Sequence, residues 1–572
     1  MEGRPLPVGI EFYKRMIDGG YYYVDKTLLI KDILDSGAAA SLFTRPRRFG
    51  KTLALNMLKV FLEDERDEKG RHIDNSAYFK NKKIAACGEK YMQKLGKYPV
   101  IFLTLKSAKQ PDFDMAYHIL TESIEKEFDR HRYVLDSDML SDKEKEKFRA
   151  ISEKRAAKAE YATSVAFLSE CLKKVHRENT VILIDEYDVP LENAYFRGFY
   201  EEMSDFIRSL FESALKTNDC LELAVITGCL RISRESIFTG LNNLEVISVL
   251  NENYSEYYGF TESEVEKMLA FYGLENQLPE VKQWYDGYLF GSTEVYNPWS
   301  VINYVKNQVS GGKTFPRPYW SNTSSNSIIR ELVEKADFST RREIENLIDG
   351  GVIEKPVHEE ITYGDIYESQ DNLWNFLFFT GYLKKTEECQ KDEELYLKMA
   401  IPNAEIASIY RNTVLTWFDK KIKKTDLSPL MQAIEQKNCS AAGEFISEQL
   451  RDTISFFDYA ENYYHGFLTG LLKGAGPYEL LSNRESGEGR PDIIMKPDTI
   501  RKPAYILELK AAKDFRLMEQ LCDEALAQAK QKNYDEQLKK EGYQEVVTYG
   551  ICFYKKECMV KAADESGADC HR

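Results

Sequence analysis

The run Thr44-Arg45-Pro46-Arg47-Arg48-Phe49-Gly50-Lys51-Thr52 decides how the first half of this chain is read. Gly50-Lys51-Thr52 is the closing part of a G-x-x-x-x-G-K-[ST] phosphate loop, and Arg45 stands where the first glycine belongs. Ahead of it, Ala38–Thr44 is a short apolar run; behind it, Leu55, Leu58, Phe61 and Leu62 recur at helical spacing. A phosphate loop needs this strand, loop and helix, because backbone N–H groups and the helix N-terminus then converge on phosphate oxygens. Lys51 would reach the β- and γ-phosphates and the Thr52 hydroxyl would ligate Mg²⁺. Without the first glycine, a basic turn capping a helix is the competing reading.

Val181-Ile182-Leu183-Ile184-Asp185-Glu186 is an apolar strand ending in two carboxylates. Asp185 would hold the Mg²⁺ shell, and Glu186 would orient or deprotonate the attacking water. Leu221–Ile226 ends in Thr227-Gly228, and a polar strand tip can sense the γ-phosphate. Arg231 and Arg234 follow closely and could complete a phosphate clamp, in cis or on a neighbouring subunit of an oligomer; surface arginines are the alternative. Pro99–Leu105 and Val246–Leu250 supply further apolar runs, with helical stretches at Ala116–Phe128 and Phe206–Leu215. Alternating strands and helices predict a parallel sheet covered on both faces.

Asp136–Lys158 is highly charged and reads as an exposed helix or a mobile insertion. Beyond Asn253 the pattern turns helical and aromatic, which predicts a small helical lid. Residues from about Ser327 to Glu448 read as helical and carry no catalytic signature. From Ser455 a helix is followed by short strands at Asp492–Lys496, Tyr505–Lys510 and Val546–Phe553.

The last region carries the second piece of chemistry. Residues i and i+2 of a strand share a face, so Glu508 and Lys510 project together while Leu507 and Leu509 point into a core. A hairpin through the Pro497–Pro503 turn would bring Asp492 beside Glu508. Two carboxylates suit Mg²⁺, which takes oxygen ligands and activates water. Lys510 would orient the nucleophile or bind the scissile phosphate. Arg490 contacts phosphate or caps the turn, and His465 reads as a packed histidine.

The composition sets outer limits. Its 572 residues predict about three or four domains. No apolar run reaches bilayer length, and no apolar signal region follows Met1, so a cytoplasmic protein without a membrane partner is expected. Ten scattered cysteines without a C-x-x-C pair read as reduced. A net charge of −16 argues against a protein coated in nucleic acid and still permits a local basic channel.

Taken together, Tyr23-Val24-Asp25-Lys26-Thr27, the Arg45–Thr52 loop, Asp185-Glu186-Tyr187-Asp188, Thr227-Gly228, Asn242-Asn243-Leu244 and Tyr285-Asp286-Gly287-Tyr288 resemble the AAA-ATPase-like proteins with a C-terminal PD-(D/E)XK nuclease domain. The resemblance implies an α/β fold: an ASCE-type P-loop parallel sheet with a helical lid, a helical middle region and a C-terminal restriction-endonuclease-like α/β domain. It divides the chain into 1–252, 253–326, 327–448 and 449–560. It makes Arg45 typical of the loop, sets Arg45, Arg47, Arg48, Gly50, Lys51, Thr52, Asp185, Thr227 and Arg231 around ATP, and brings the Tyr23–Thr27 box near the nucleotide. Glu461 resembles the first acidic motif of the nuclease family, which would bind metal with Asp492 and Glu508. Gln528 and Tyr534 resemble the Gln/Tyr motif of RecB-like nucleases, at a wider spacing than usual. The resulting expectation is an ATP-hydrolysing protein coupled to a Mg²⁺-dependent nuclease using Glu186, Asp492, Glu508, Lys510 and Gln528. Its expected substrate is DNA rather than RNA, with foreign or mobile DNA suggested by fold analogy alone. The alternative is a signalling or nucleic-acid-binding ATPase whose nuclease fold only recognises.

Overall fold

Five short apolar runs of the N-terminal half pair as one parallel sheet. β1 (Ala40–Thr44), β2 (Val100–Thr104), β3 (Thr180–Asp185), β4 (Leu221–Gly228) and β5 (Leu244–Ile247) lie in the order β2-β3-β4-β1-β5. Every pairing is parallel. β1 and β3 are buried along their whole length, as strands covered by helices on both faces must be. β4 stands between the loop strand β1 and the acidic strand β3, the ASCE arrangement. In this computed structural model the described residues are 3–216, 218–231, 237–238, 243–311, 315–320, 329, 338–359, 369–391, 394–422, 426–451, 461–473, 478–482 and 491–563. The side chains at 338, 341, 370, 414–422 and 461–463 lie outside that description.

The Lys51–Leu62 helix leaves β1 through the basic loop and buries Leu55, Leu58, Phe61 and Leu62, the periodic set read from sequence. The charged Asp136–Lys158 stretch contains a docked helix, Asp142–Ser152. Ser141 and Glu144 close a reciprocal capping box at its start, and Phe148 packs on Phe128 at 4.8 Å. The lid comprises helices Glu262–Phe271, Leu278–Tyr285 and Pro298–Gly311 with a small hairpin, β6 (Tyr288–Phe290) and β7 (Thr293–Val295). Val265, Leu269, Val281, Tyr285, Val301 and Tyr304 form its core.

The region expected to be helical also carries a sheet. β8 (Ile353–Pro356), β9 (Lys384–Lys391) and β10 (Glu394–Ala400) pair antiparallel in the order β8-β10-β9. β9 reads Lys-Lys-Thr-Glu-Glu-Cys-Gln-Lys and shows no apolar alternation. A water-facing antiparallel sheet needs only one buried side, here supplied by Leu397 and Met399 of β10.

The C-terminal sheet is mixed: β11 (Tyr478–Ser482), β12 (Ile493–Pro497), β13 (Ala504–Ala511), β14 (Val546–Tyr554) and β15 (Glu557–Ala562) lie in sequence order. Only β13 and β14 are parallel, and the Met518–Gln531 helix makes their crossover. Tyr505, Leu507 and Leu509 face a core shared with helices Ser428–Glu435, Cys439–Arg451 and Glu461–Leu472. The first of these helices lies upstream of residue 449. On the other face, Ala504 and Ile506 pack with Ala529, Tyr534 and Leu538, while Ala512 packs with Met518, Cys522 and Cys552. Glu508 and Lys510 fall in the polar gap between these two apolar patches. The chain divides into two compact units, Met1–Thr323 with Val352–Ile409, and Ser324–Gly351 with Tyr410–Arg572. Among the described residues no helix is long and apolar enough to cross a membrane.

Candidate functional site

Lys51, Thr52, Asp185 and Thr227, expected around a nucleotide, gather where the parallel strands end, the crevice that open α/β sheets use for ligands. Gly50 takes the left-handed conformation at the helix N-cap (φ 87°), and Arg48 two residues earlier does the same (φ 67°). Lys51 opens the helix, and its ammonium donates to the carbonyls of Arg45 and Pro46 at 2.8 and 2.9 Å. The Thr52 hydroxyl donates to one Asp185 oxygen at 2.8 Å, and the Thr227 hydroxyl donates to the other at 2.7 Å. The helix after β1 and the ends of β3 and β4 thus bring together Thr52, Asp185 and Thr227, which lie 133 and 42 positions apart along the chain. The oxygen-only donor set of Thr52 and Asp185 fits Mg²⁺, and the lysine beside it fits a phosphate chain.

The three arginines of the loop go elsewhere. Arg45, expected at ATP, is fully buried. Its guanidinium donates to the Thr44 and Ile247 carbonyls and lies 5.3 and 5.2 Å from the rings of Tyr258 and Phe290. Burial pushes its pKa down to about 10. Arg47 pairs with Glu192 of the Val189–Arg197 helix at 2.5 Å. Arg48 stacks over Trp299 at 4.2 Å and donates to the Tyr319 carbonyl. The basic run thus ties the phosphate loop to its own core and lid. Arg231 emerges half-buried from the end of β4. Arg234 and Asn242 lie outside the described residues.

Each acid of Asp185-Glu186-Tyr187-Asp188 has a different environment. Glu186 sits in the left-handed region (φ 53°) with its N–H on the Thr227 hydroxyl. Burial raises its pKa above the usual carboxylate range, opposed by the charge of Lys51. Asp188 is buried, and one of its oxygens accepts from the N–H groups of Cys229 and Leu230 at 2.7 and 3.2 Å. The Tyr187 hydroxyl donates to the Leu230 carbonyl at 2.6 Å. Tyr187 and Asp188 therefore fix the exit of β4, a role that the motif contained but its spacing did not disclose. Lys106, just past β2, is a second residue missed by sequence reasoning: its charge bears on Glu186 and Asp185. Its signal was a lysine directly after an apolar strand.

The Tyr23–Thr27 box braces the flank of the loop helix and the lid. Tyr23 donates to Met57 Sδ, Asp25 accepts from Thr27 and from the Lys83 N–H, and Lys26 pairs with Glu264. A lid contact reaches the loop through Glu405. Its carboxylate accepts from the Ser300 hydroxyl and from the Trp320 N–H, and burial raises it to about 7 against the pull of Arg48. Trp320 stacks on Tyr382 at 5.1 Å, and a β-carbon on Gly381 would lie 2.9 Å from Pro46.

In the second unit, antiparallel pairing of β12 and β13 sets Ile493 opposite Leu507, which brings Asp492 beside Glu508. Asp492 accepts from the Leu509 N–H at 2.8 Å, and its own N–H lies 3.4 Å from Glu508. Gln528, on the crossover helix, donates to Glu508 and accepts from Lys510 at 2.9 Å. Glu508 is buried. Tyr534, buried in the adjoining patch, reaches Gln528, and this contact draws its pKa down while burial raises it overall. His465 binds the Asp492 carbonyl and the Ser482 hydroxyl, so it orders the site's border. The Glu461 side chain and Arg490 lie outside the described residues. Two carboxylates with an adjacent lysine fit a divalent cation bound to oxygen. Among the described residues no group of three His, Cys, Asp or Glu is placed to hold one.

Comparisons with known proteins match two regions of the chain. Residues 7–238 match the model of a predicted AAA-ATPase, and residues 459–563 match that of the PD-(D/E)XK nuclease superfamily. An uncharacterized protein in the vnfD 5′ region of Azotobacter chroococcum mcd 1 is 25% identical over 424 residues, covering 73% of this chain and 70% of that protein. The ORC2 protein of Aeropyrum pernix, solved in ADPNP and ADP complexes, aligns at 10% identity over 68% of this chain and 92% of its own, with a TM-score of only 0.22. By these matches, the chain carries an N-terminal AAA-ATPase-like region and a C-terminal region of the PD-(D/E)XK nuclease superfamily.

Proposed function

We propose that this protein binds and hydrolyses ATP at the Lys51–Thr52–Asp185–Thr227 cluster, and cuts DNA phosphodiester bonds with Mg²⁺ at Asp492, Glu508 and Lys510. The observation that carries the nuclease half is the meeting of Asp492, Glu508, Lys510 and Gln528 in one polar gap of an otherwise apolar sheet face. A bound Mg²⁺ supplies Lewis-acid polarisation of the phosphate and a more acidic water. Asp492 and Glu508 would hold it. Lys510 would carry positive charge to the scissile phosphate, and Gln528 fixes Glu508 and Lys510 relative to one another.

In the ATPase half, Thr52 and Asp185 would hold Mg²⁺. Lys51 would leave the loop carbonyls for the β- and γ-phosphates, and Thr227 would hold Asp185 in register. Glu186, half-buried beside Lys51, would take or orient the attacking water. ATP turnover would govern cutting.

The test incubates wild type and Glu508→Ala with single-stranded and duplex DNA and RNA, with and without ATP and Mg²⁺. The proposal expects Mg²⁺-dependent cutting of DNA that Glu508→Ala abolishes and ATP alters. No cutting under any condition would favour a signalling ATPase whose nuclease fold only recognises.

A further inference from the structure

Beyond Lys510, the chain leaves β13 through Ala511-Ala512 and turns through Lys513-Asp514-Phe515-Arg516-Leu517 into the Met518–Gln531 helix. β14 runs parallel to β13, with Lys510 opposite Cys552 and Ala511 opposite Phe553. The turn from β14 to β15, at Tyr554-Lys555-Lys556, therefore emerges at the same end of the sheet. Phe515 is 56% exposed there and Leu517 43%. The Phe515 ring meets Tyr554 edge-on at 6.2 Å, and the Lys555 ammonium lies 5.4 Å from the Tyr554 ring.

The charges around these rings are mixed and lean positive. Asp514 caps its own turn by accepting from the Arg516 N–H. Glu557 pairs with Arg451, and Glu519 and Asp523 both pair with Lys561. Lys513, Arg516 and Lys555 are exposed and, among the described residues, take part in no ion pair. In a chain of net charge −16, this corner sets Lys513, Arg516 and Lys555 against the exposed Asp514 and a lysine shared by two acids, beside the exposed Phe515 ring and the half-buried Tyr554 ring. Exposed rings interleaved with basic side chains are how proteins hold unpaired nucleotides: the rings stack on base faces while the cations track the phosphates. A duplex buries its base faces in its own stack and offers the rings nothing.

We propose that this ledge is the single-strand binding surface of the nuclease. Phe515 and Tyr554 stack on unpaired bases, Lys513, Arg516 and Lys555 bind the flanking phosphates, and the strand is led toward Lys510. The inference rests on the reading of Asp492, Glu508 and Lys510 as a phosphodiester-cutting site, and it adds a preference for single strands or frayed ends.

The test measures fluorescence anisotropy of labelled oligo-dT, oligo-U and a blunt duplex on the full chain carrying Glu508→Gln to prevent cutting. Phe515→Ala is expected to weaken both single strands by about tenfold. The loss is equal for the two because ring stacking does not sense the sugar, and Phe515→Trp retains affinity. Arg516→Ala is expected to reduce the slope of log affinity against log salt by about 0.7. Far-UV circular dichroism checks that each variant is folded, and Phe515→Trp together with Arg516→Ala carry the test should Phe515→Ala misfold. Single-strand affinities within about twofold of the parent in the folded variants would overturn the ledge. If the chain with an intact Glu508 still cuts in that case, the nuclease reading survives. If it neither binds nor cuts any nucleic acid, both fall.

Discussion

Glu405 offers the sharpest quantitative prediction, because a buried carboxyl connects the lid to the phosphate loop. It accepts from the Ser300 hydroxyl at 3.0 and 2.8 Å and from the Trp320 N–H at 2.9 Å, and burial lifts its pKa from 4.5 to about 7. In the unfolded chain the same side chain titrates near its ordinary value. Between those values the native state holds the extra proton, so its stability falls as pH rises from about 4.5 to about 7 and is level above. At about 1.4 kcal/mol per pH unit, the fully ionised form costs the native state about 3 kcal/mol. Glu405→Gln removes the charge and keeps the contacts. The amide oxygen takes the place that accepts from Trp320, and the amide NH₂ faces the Ser300 hydroxyl, which can accept as well as donate. The variant should therefore melt with wild type at about pH 4.5 and several degrees higher at about pH 8. The assay is a thermal melt across that range, read by near-UV circular dichroism, with ATP turnover followed in parallel. A difference between variant and wild type that does not change with pH would refute the reasoning.

Lys51→Ala should abolish ATP hydrolysis, measured by phosphate release, and leave the circular dichroism spectrum unchanged; persistent turnover would place the ATP site elsewhere. Gly228→Ala puts a β-carbon 2.5 Å from the Tyr187 ring, beside Glu186. Displacement of that strand end should lower kcat for ATP about a hundredfold, with circular dichroism checking that the variant is folded, and a kcat near wild type would remove Tyr187 from the positioning of Glu186. Gln528→Ala takes one charge-assisted hydrogen bond from Glu508 and another from Lys510. Cleavage should fall at unchanged ATPase rate, and undiminished cutting in a gel assay would show that Gln528 does not order the pair. EDTA should stop cleavage by wild type, and added Mg²⁺ should restore it.

Much of this molecule was legible from its residues. Apolar runs marked the parallel strands, Gly50-Lys51-Thr52 marked the loop-to-helix transition, and the i, i+2 rule set Glu508 and Lys510 on one face with Leu507 and Leu509 on the other. These readings depend on local periodicity and short-range chain geometry, which sequence carries directly. Sequence could not tell that β9, a polar strand, joins β10 and β8, because its partner supplies the apolar face. Nor could it tell that Arg45, Arg47 and Arg48 turn to Ile247, Glu192 and Trp299, or that Asp188 clasps the end of β4. The meeting of Thr52 with Asp185 and Thr227, and of Asp492 with Glu508 and Gln528, depends on strand order and register. Those are settled by the packing of distant segments: a side chain's partner is whatever the sheet brings within about 3 Å of it, whatever their separation along the chain.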